Sequence, residues 1–373
     1  MMKFEATLGR IFLAVISVLV TVLGVDTIST WFISPRSPIE QDFPVGLVRR
    51  PQPYTMFGGT ADAAIETAEA TVHLNSLGYP GAAPARVKPA NEYRIFVLGG
   101  STVFLGEPPI PVLLEEAFHQ NGAQHVKVYN FGVISSVSGM ELARIVFEIS
   151  ELEPDLIMMY NGGNDLLSPF RQDPRPGYPL NFIVYEHNPL LESEVRSYPT
   201  GALLAYGSNI ARTLFPNYFS RRFANLEQLR ADIGWGSDAW KAEIARIYVE
   251  NLVKADKVSL AFGADFIAFA QPMVYFKDEV APEEEAQAFH GERRPYVLEM
   301  RERVRQEVEK QRELNNHLKV IDLTDIYDTT PDWVFTDSIH TQQASKSVVV
   351  QEMYKYIMHY FNERIAETRP RES

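Results

Sequence analysis

The 373-residue chain contains no cysteine. That excludes disulfides, thiolate metal sites and a cysteine nucleophile. Basic charge is also scarce: 35 Lys and Arg stand against 48 Asp and Glu, a net charge of −13, and no Lys/Arg cluster offsets it. Phosphate backbones repel such a surface, so nucleic acid is not an expected partner. Phosphate-loop signatures are missing too. No Lys-Ser/Thr pair follows Gly99 and Gly100, and Gly99, Gly100 and Gly106 have the wrong spacing for a dinucleotide fingerprint. Internal repeats and low-complexity tracts are absent. What is there is 46 % hydrophobic residues, enough for one large α/β domain, with or without insertions.

One long uncharged apolar run stands out, "IFLAVISVLVTVLGV" at 11–25. A bilayer span needs about 20 residues. Leu8, Gly9 and the weaker stretch to Ile33 supply the remainder, although Asp26 interrupts it. Arg10 can snorkel, Trp31 suits the interface, and Lys3 and Arg10 ahead of the run favour an inside N-terminus. A cleaved signal peptide shares these n- and h-regions, but no A-x-A site follows. A buried core helix is the third reading. The expectation is a signal-anchor over 1–33. It makes the chain a single-pass protein of the cytoplasmic membrane with its bulk periplasmic, or otherwise extracytoplasmic.

Residues 34–90 are rich in Pro, Gly, Ala and Thr. They read as a membrane-proximal stem with little regular structure beyond a helix near Ala61–Ala70. A β/α alternation then begins. Strands are expected at 93–100, 126–132, 154–165, 265–272 and 318–325, and helices at 108–122, 138–152, 238–264, 283–317 and 342–365. Continuous apolar strands between amphipathic helices indicate a parallel sheet covered on both faces, whose ligands bind beyond the strands' carboxyl ends. The domain therefore spans 91–365. Residues 168–237, rich in aromatics, break the alternation and read as an insertion over the site. The acidic stretch 278–289 reads as a solvated helix start.

Four stretches at strand exits carry groups capable of chemistry. "FVLGGST" ends an apolar strand in two glycines and Ser101, which puts a hydroxyl at the sheet edge. "TDSIH" follows the last strand, and three-residue spacing lets Asp337 accept the Nδ1 proton of His340 and leave Nε2 as a base. "YNGGND" places Asn164 where a side-chain amide can donate to an oxyanion, and "YNFG" ends a strand at Gly132, whose N–H can approach a substrate. Taken singly, each is ordinary turn chemistry. The other seven histidines have no such companion and read as structural.

In this order, "GGST", "NFG", "GGND" and "DSIH" resemble the four motif blocks of the SGNH hydrolase superfamily, the GDSL esterases and lipases. "NSLGYPG" at 75–81 resembles its membrane-anchored bacterial members. The resemblance covers roughly 75–363. It implies a three-layer flavodoxin-like α/β fold with a five-stranded parallel sheet, here preceded by the membrane anchor. It implies a catalytic Ser101, Asp337 and His340, an oxyanion hole of Ser101, Gly132 and Asn164, and neither cofactor nor metal. Departures occur around the motifs. Gly100 stands where many members have Asp, Leu105 where many have the glycine four after the serine, and Ser345 where a glycine often follows the histidine by five.

Three functions are compatible with this reading. The first is an esterase that removes acyl groups, acetyl first, from a cell-surface carbohydrate or another ester. The second is a polysaccharide O-acetyltransferase with the same triad, which would need a membrane partner to supply acyl groups because one span cannot move a donor. The third is a dormant glycan-binding module, disfavoured because all five site residues are present.

Overall fold

The computed structural model describes residues 2–29, 31–32, 50–67, 70–179, 182, 208–215 and 226–368. The chain divides into two units, 1–42 with 181–229, and 43–180 with 230–373. In the first, helix α1 (Met2–Ser29) is long and apolar, and its large apolar side chains from Ile11 to Ile28 are exposed.

The second unit begins with two short antiparallel hairpins. In them β1 (Arg50–Gln52) pairs with β2 (Met56–Gly58), and β3 (Ala64–Glu66) with β4 (Thr71–His73). The five-stranded sheet follows: β5 (Tyr93–Gly99), β6 (Val126–Gly132), β7 (Leu156–Asn161), β8 (Asp265–Ala270) and β9 (Val320–Asp322). All neighbours are parallel, in the order β6-β5-β7-β8-β9. This is the flavodoxin-like order, with β5 and β7 central. Every residue of those two strands is buried, as a sheet covered on both faces demands.

Helix α2 (Ser101–Phe104) follows β5 directly, and α3 (Ile110–Gln120) leads to β6. Next come α4 (Ser138–Arg144) and, after β7, α5 (Gly163–Arg171). Helix α6 (Asn209–Leu214) belongs to the first unit, and α7 (Leu226–Asp232) spans the boundary between the units. Helices α8 (Asp238–Ala261), α9 (Glu285–Ala288), α10 (Arg293–Leu314) and α11 (Lys346–Glu367) complete the fold. The two outer layers follow from the packing. Helix α11 lies on α3, with Phe118 edge-on to Tyr354, while α8 packs against α4, α10 and β8. The architecture is the expected three-layer α/β with a five-stranded parallel sheet.

Several local expectations are corrected. The stretch near Ala61–Ala70 is a hairpin, not a helix. Ile65 and Val72 pair across it, Ile65 is buried, and the Thr67 hydroxyl accepts from Ala70 N to close the turn. β-branched residues in alternation suit a half-buried strand better than a helix. The expected stem is also more ordered than its composition suggests, since Phe57 and Tyr79 join the main core and Tyr79 stacks on Phe131 at 4.1 Å. In "NSLGYPG", the Asn75 carbonyl Oδ1 accepts from Leu77 N and Tyr79 N, which folds the turn that delivers Tyr79. The helix expected over 138–152 passes into a π turn at Ile145–Ile149, and that over 283–317 is split into α9 and α10. In the insertion, Ser168 still lies in α5, and Trp235 packs on Phe170 in the sheet unit. Most of 180–225, expected over the site, lies outside the described residues.

Candidate active site

β5 ends at Gly99 because the chain is crowded there. A Cβ on Gly99 would sit 2.4 Å from Tyr160 O and 2.5 Å from Val103 Cγ2, so only glycine lets α2 turn back this tightly on the sheet. A Cβ on Gly100 would sit 2.6 Å from Asn164 Nδ2. The two glycines therefore bring Ser101 to the edge of the sheet with Asn164 close by. Ser101 opens α2, where a backbone N–H has no intrahelical acceptor.

The histidine arrives from a loop beyond β9. His340 Nε2 lies 2.7 Å from Ser101 Oγ, and His340 Nδ1 lies 2.6 Å from Asp337 Oδ2. Asp337 Oδ1 accepts from Ile339 N and His340 N, each at 2.8 Å. One carboxylate oxygen thus folds the loop and the other orients the ring, which is the physical reason for the three-residue spacing. Burial alone would raise the Asp337 carboxyl. The bonds and charge of His340, with the two backbone N–H groups, outweigh it and hold the carboxyl below the usual range. An ionised carboxylate only accepts, so Nδ1 carries the hydrogen and Nε2 offers its lone pair to the Ser101 O–H. The array is that of an activated nucleophile, its base and an orienting acid.

The other two expected site residues differ. Asn164, in the first turn of α5, donates one Nδ2 hydrogen to Ser136 O at 2.8 Å. A primary amide has a second hydrogen. The Gly132 N–H donates to Asn130 Oδ1 at 2.9 Å. A Cβ there would sit 2.7 Å from Phe104 N, so glycine lets α2 lie on the end of β6.

Two supporting residues were missed by sequence reasoning. Asn130 accepts from Gly132 N and donates Nδ2 to Val103 O at 2.9 Å, which ties the nucleophile's helix to β6. Its signal was the Asn of "NFG" itself. The second is Glu284, read as part of a solvated acidic start and in fact fully buried between exposed Glu283 and Glu285. Its Oε1 accepts from Val334 N at 2.9 Å and Phe335 N at 2.7 Å, and its Oε2 from Lys277 Nζ at 2.7 Å and Ala281 N at 3.0 Å. Burial disfavours its charge, but the Lys277 pair and three backbone donors prevail and lower its pKa. Val274 N donates to Ser338 O at 3.1 Å, a second tie between this segment and the Asp337–His340 loop.

A narrow cleft of about 10 Å³ touches the triad, lined by Thr102, Tyr160, Ile339, His340 and Lys346 among others. A larger hollow of about 350 Å³, between the exits of β7–β9 and α10, includes no triad residue.

No family model matches the chain, and no curated protein matches it. Several solved structures are similar to it. A GDSL-like lipase from Parabacteroides merdae shares 10 % identity at TM-score 0.42, over 72 % of this chain and 96 % of the lipase. An acetyl xylan esterase shares 10 % identity at TM-score 0.40, over 71 % of this chain and 99 % of the esterase. A lipase/acylhydrolase from Enterococcus faecalis shares 14 % identity at TM-score 0.40, over 75 % of this chain and 100 % of the enzyme. At these values the likenesses carry no argument about activity, which rests on the site itself.

Proposed function

We propose that the chain is a serine esterase of the SGNH type that removes short acyl groups, acetyl first, from a carbohydrate or other ester outside the cytoplasmic membrane. One observation carries this reading: the continuous hydrogen-bonded array Ser101–His340–Asp337 at the carboxyl edge of a parallel sheet. His340 Nε2 takes the Ser101 proton as Oγ attacks the ester carbonyl, and returns it to the leaving alcohol. Asp337 stabilises the imidazolium. Water, deprotonated by His340, then releases the acid from the acyl-serine. The Ser101 N–H and the second Asn164 amide hydrogen hold the oxyanion, each donor of this kind being worth about 3–4 kcal/mol. The extracytoplasmic site rests on α1 and the charges ahead of it.

The test is acetate release by the full-length chain in detergent from p-nitrophenyl acetate and from an O-acetylated oligosaccharide, with Ser101→Ala beside it. The expected result is a Ser101-dependent rate and a single organophosphonate adduct on Ser101. A folded protein with neither rate nor adduct defeats the proposal. Acetyl transfer to an oligosaccharide hydroxyl in excess of hydrolysis would replace it with the transferase reading.

A further inference from the structure

We propose that α1 is a retained anchor and that its outer end, locked to α6, forms a module seated in the headgroup region of the bilayer that α1 crosses. The inference rests on α1 being a span, as the localisation above requires. The segment Gly9–Ser29 has 21 residues and a mean hydropathy of 2.5, and its large apolar side chains from Ile11 to Ile28 are exposed. At 1.5 Å per residue it covers about 30 Å, the thickness of a hydrocarbon core.

Asp26 is costly in such a helix. The fold gives it a use. Its Oδ1 accepts from Ser208 Oγ and from Ile210 N, both at 2.8 Å. Ser208 in turn caps α6 by accepting from Ala211 N at 3.1 Å. Three residues on, Ser29 Oγ donates to Asp26 O at 2.6 Å and accepts from Asn209 Nδ2 at 3.1 Å, and both Ser29 and Asn209 are buried. Segments about 180 residues apart are thus joined through a buried polar cluster. A leader removed on export has no lasting partner in the mature chain, and its loss here would break the buried bond from the Asn209 amide to Ser29 and open this cluster.

A second observation identifies what the module faces. Trp31 and Phe32, just past the span, and Leu214 and Phe215, at the end of α6, are 61–80 % exposed. Four large apolar side chains flanking a polar junction at the end of a span match the aromatic-rich interface of a bilayer, where apolar bodies and hydrogen-bonding groups are both accommodated.

The absence of cysteine makes the test clean. Full-length protein is taken from membranes for intact mass, then Leu214→Cys and Phe215→Cys are labelled with an environment-sensitive fluorophore in proteoliposomes, with the cysteine-free parent chain carried through the same labelling. The expected mass includes residues through Ser29. The expected emission at 214 and 215 is blue-shifted and quenched by headgroup-region spin-labelled lipid. Adding Asp26→Ala to the Leu214→Cys chain should abolish the quenching and leave ester turnover unchanged. A mature chain starting after Ser29 overturns retention, and extraction of the intact chain by carbonate overturns the span itself. A retained anchor with no quenching at either position overturns the interfacial module. Loss of turnover in the unsubstituted chain would count only against the esterase.

Discussion

Ser101 and His340 reach the same 2.7 Å contact by different means. The serine stands two residues past Gly99, the last residue of β5, so the sheet positions it directly. The histidine lies well beyond Asp322, the last residue of β9, on a loop with no strand beneath it. That loop is held from the side, by Glu284 under Val334 and Phe335 and by Val274 on Ser338. The serine is thus fixed by local geometry, and the histidine by lateral ties from residues remote in sequence. If so, substitutions on the two sides should fail differently. The expected loss of rate falls from the triad, through Glu284, to Gly132 and Asn130, and then to the acids behind the site.

The largest loss is expected from the histidine side of the triad itself. Asp337→Asn and His340→Ala should each lower kcat by about 10⁴-fold. His340→Ala should leave thermal unfolding nearly unchanged, because the ring contributes little core packing. Asp337→Asn should also cost some stability, because Asp337 closes its own loop through two backbone N–H bonds. Retention of a tenth of the rate in His340→Ala would remove the base from the mechanism and break the comparison at its root.

Glu284→Ala comes next. It leaves Lys277 buried without its carboxylate and two loop N–H groups without an acceptor. Breaking a buried pair from one side costs about 3–5 kcal/mol. The expected result is a lower denaturant midpoint together with a lower kcat and a nearly unchanged KM, since the triad is misplaced while the substrate wall stays. Glu284→Gln, which keeps an oxygen for Val334 and Phe335, should recover rate more fully than stability. A Glu284→Ala protein that unfolds more easily but turns over normally would show that the loop holds its shape without lateral support.

The same contrast explains what the sequence made legible. The sheet was readable because central parallel strands are apolar on both faces, and the edge residues were readable because glycines mark where strand and helix meet. Asp337 and His340 were readable because their interaction is local. Glu284 was not, because nothing in "EEE" distinguishes the buried middle residue from its exposed neighbours, and its partners come from two other segments. At Gly132 the approach of α2 also calls for glycine, a tertiary contact that a motif match cannot separate from a role for its N–H.

On the serine side, Gly132→Ala retains the N–H and adds only a methyl group. Overpacking against Phe104 N should cost about 1–3 kcal/mol of stability and a smaller loss of rate, through displacement of α2. Asn130→Ala should likewise destabilise, because it strips Gly132 N and Val103 O of a partner. A Gly132→Ala protein that is fully stable but inactive would mean that the added methyl group disturbs the site without overpacking α2.

The smallest effect on rate is expected behind the site, where the two sides meet through buried acids. Asn161 donates to Glu141 and accepts from Tyr248, while Ser138 donates its N–H and its hydroxyl to Asp165. Burial, aided by the charge of Asp165, pushes Glu141 up to about 8, and burial pushes Asp165 up to about 6. Unfolded, both titrate near ordinary carboxyl values. Between those values and the raised ones, the folded chain keeps protons that the unfolded chain has lost. Their contribution is therefore most favourable below about pH 4, declines as pH rises, and levels off above about pH 8. Thermal unfolding followed from pH 5 to pH 9 should show a falling midpoint. Glu141→Gln should flatten the upper part of that fall, between about pH 6 and pH 8, with kcat little changed. The opposite slope, with stability rising across this interval, would mean that both acids are ionised in the fold and that Arg144 and Asn161 hold Glu141 as a charge.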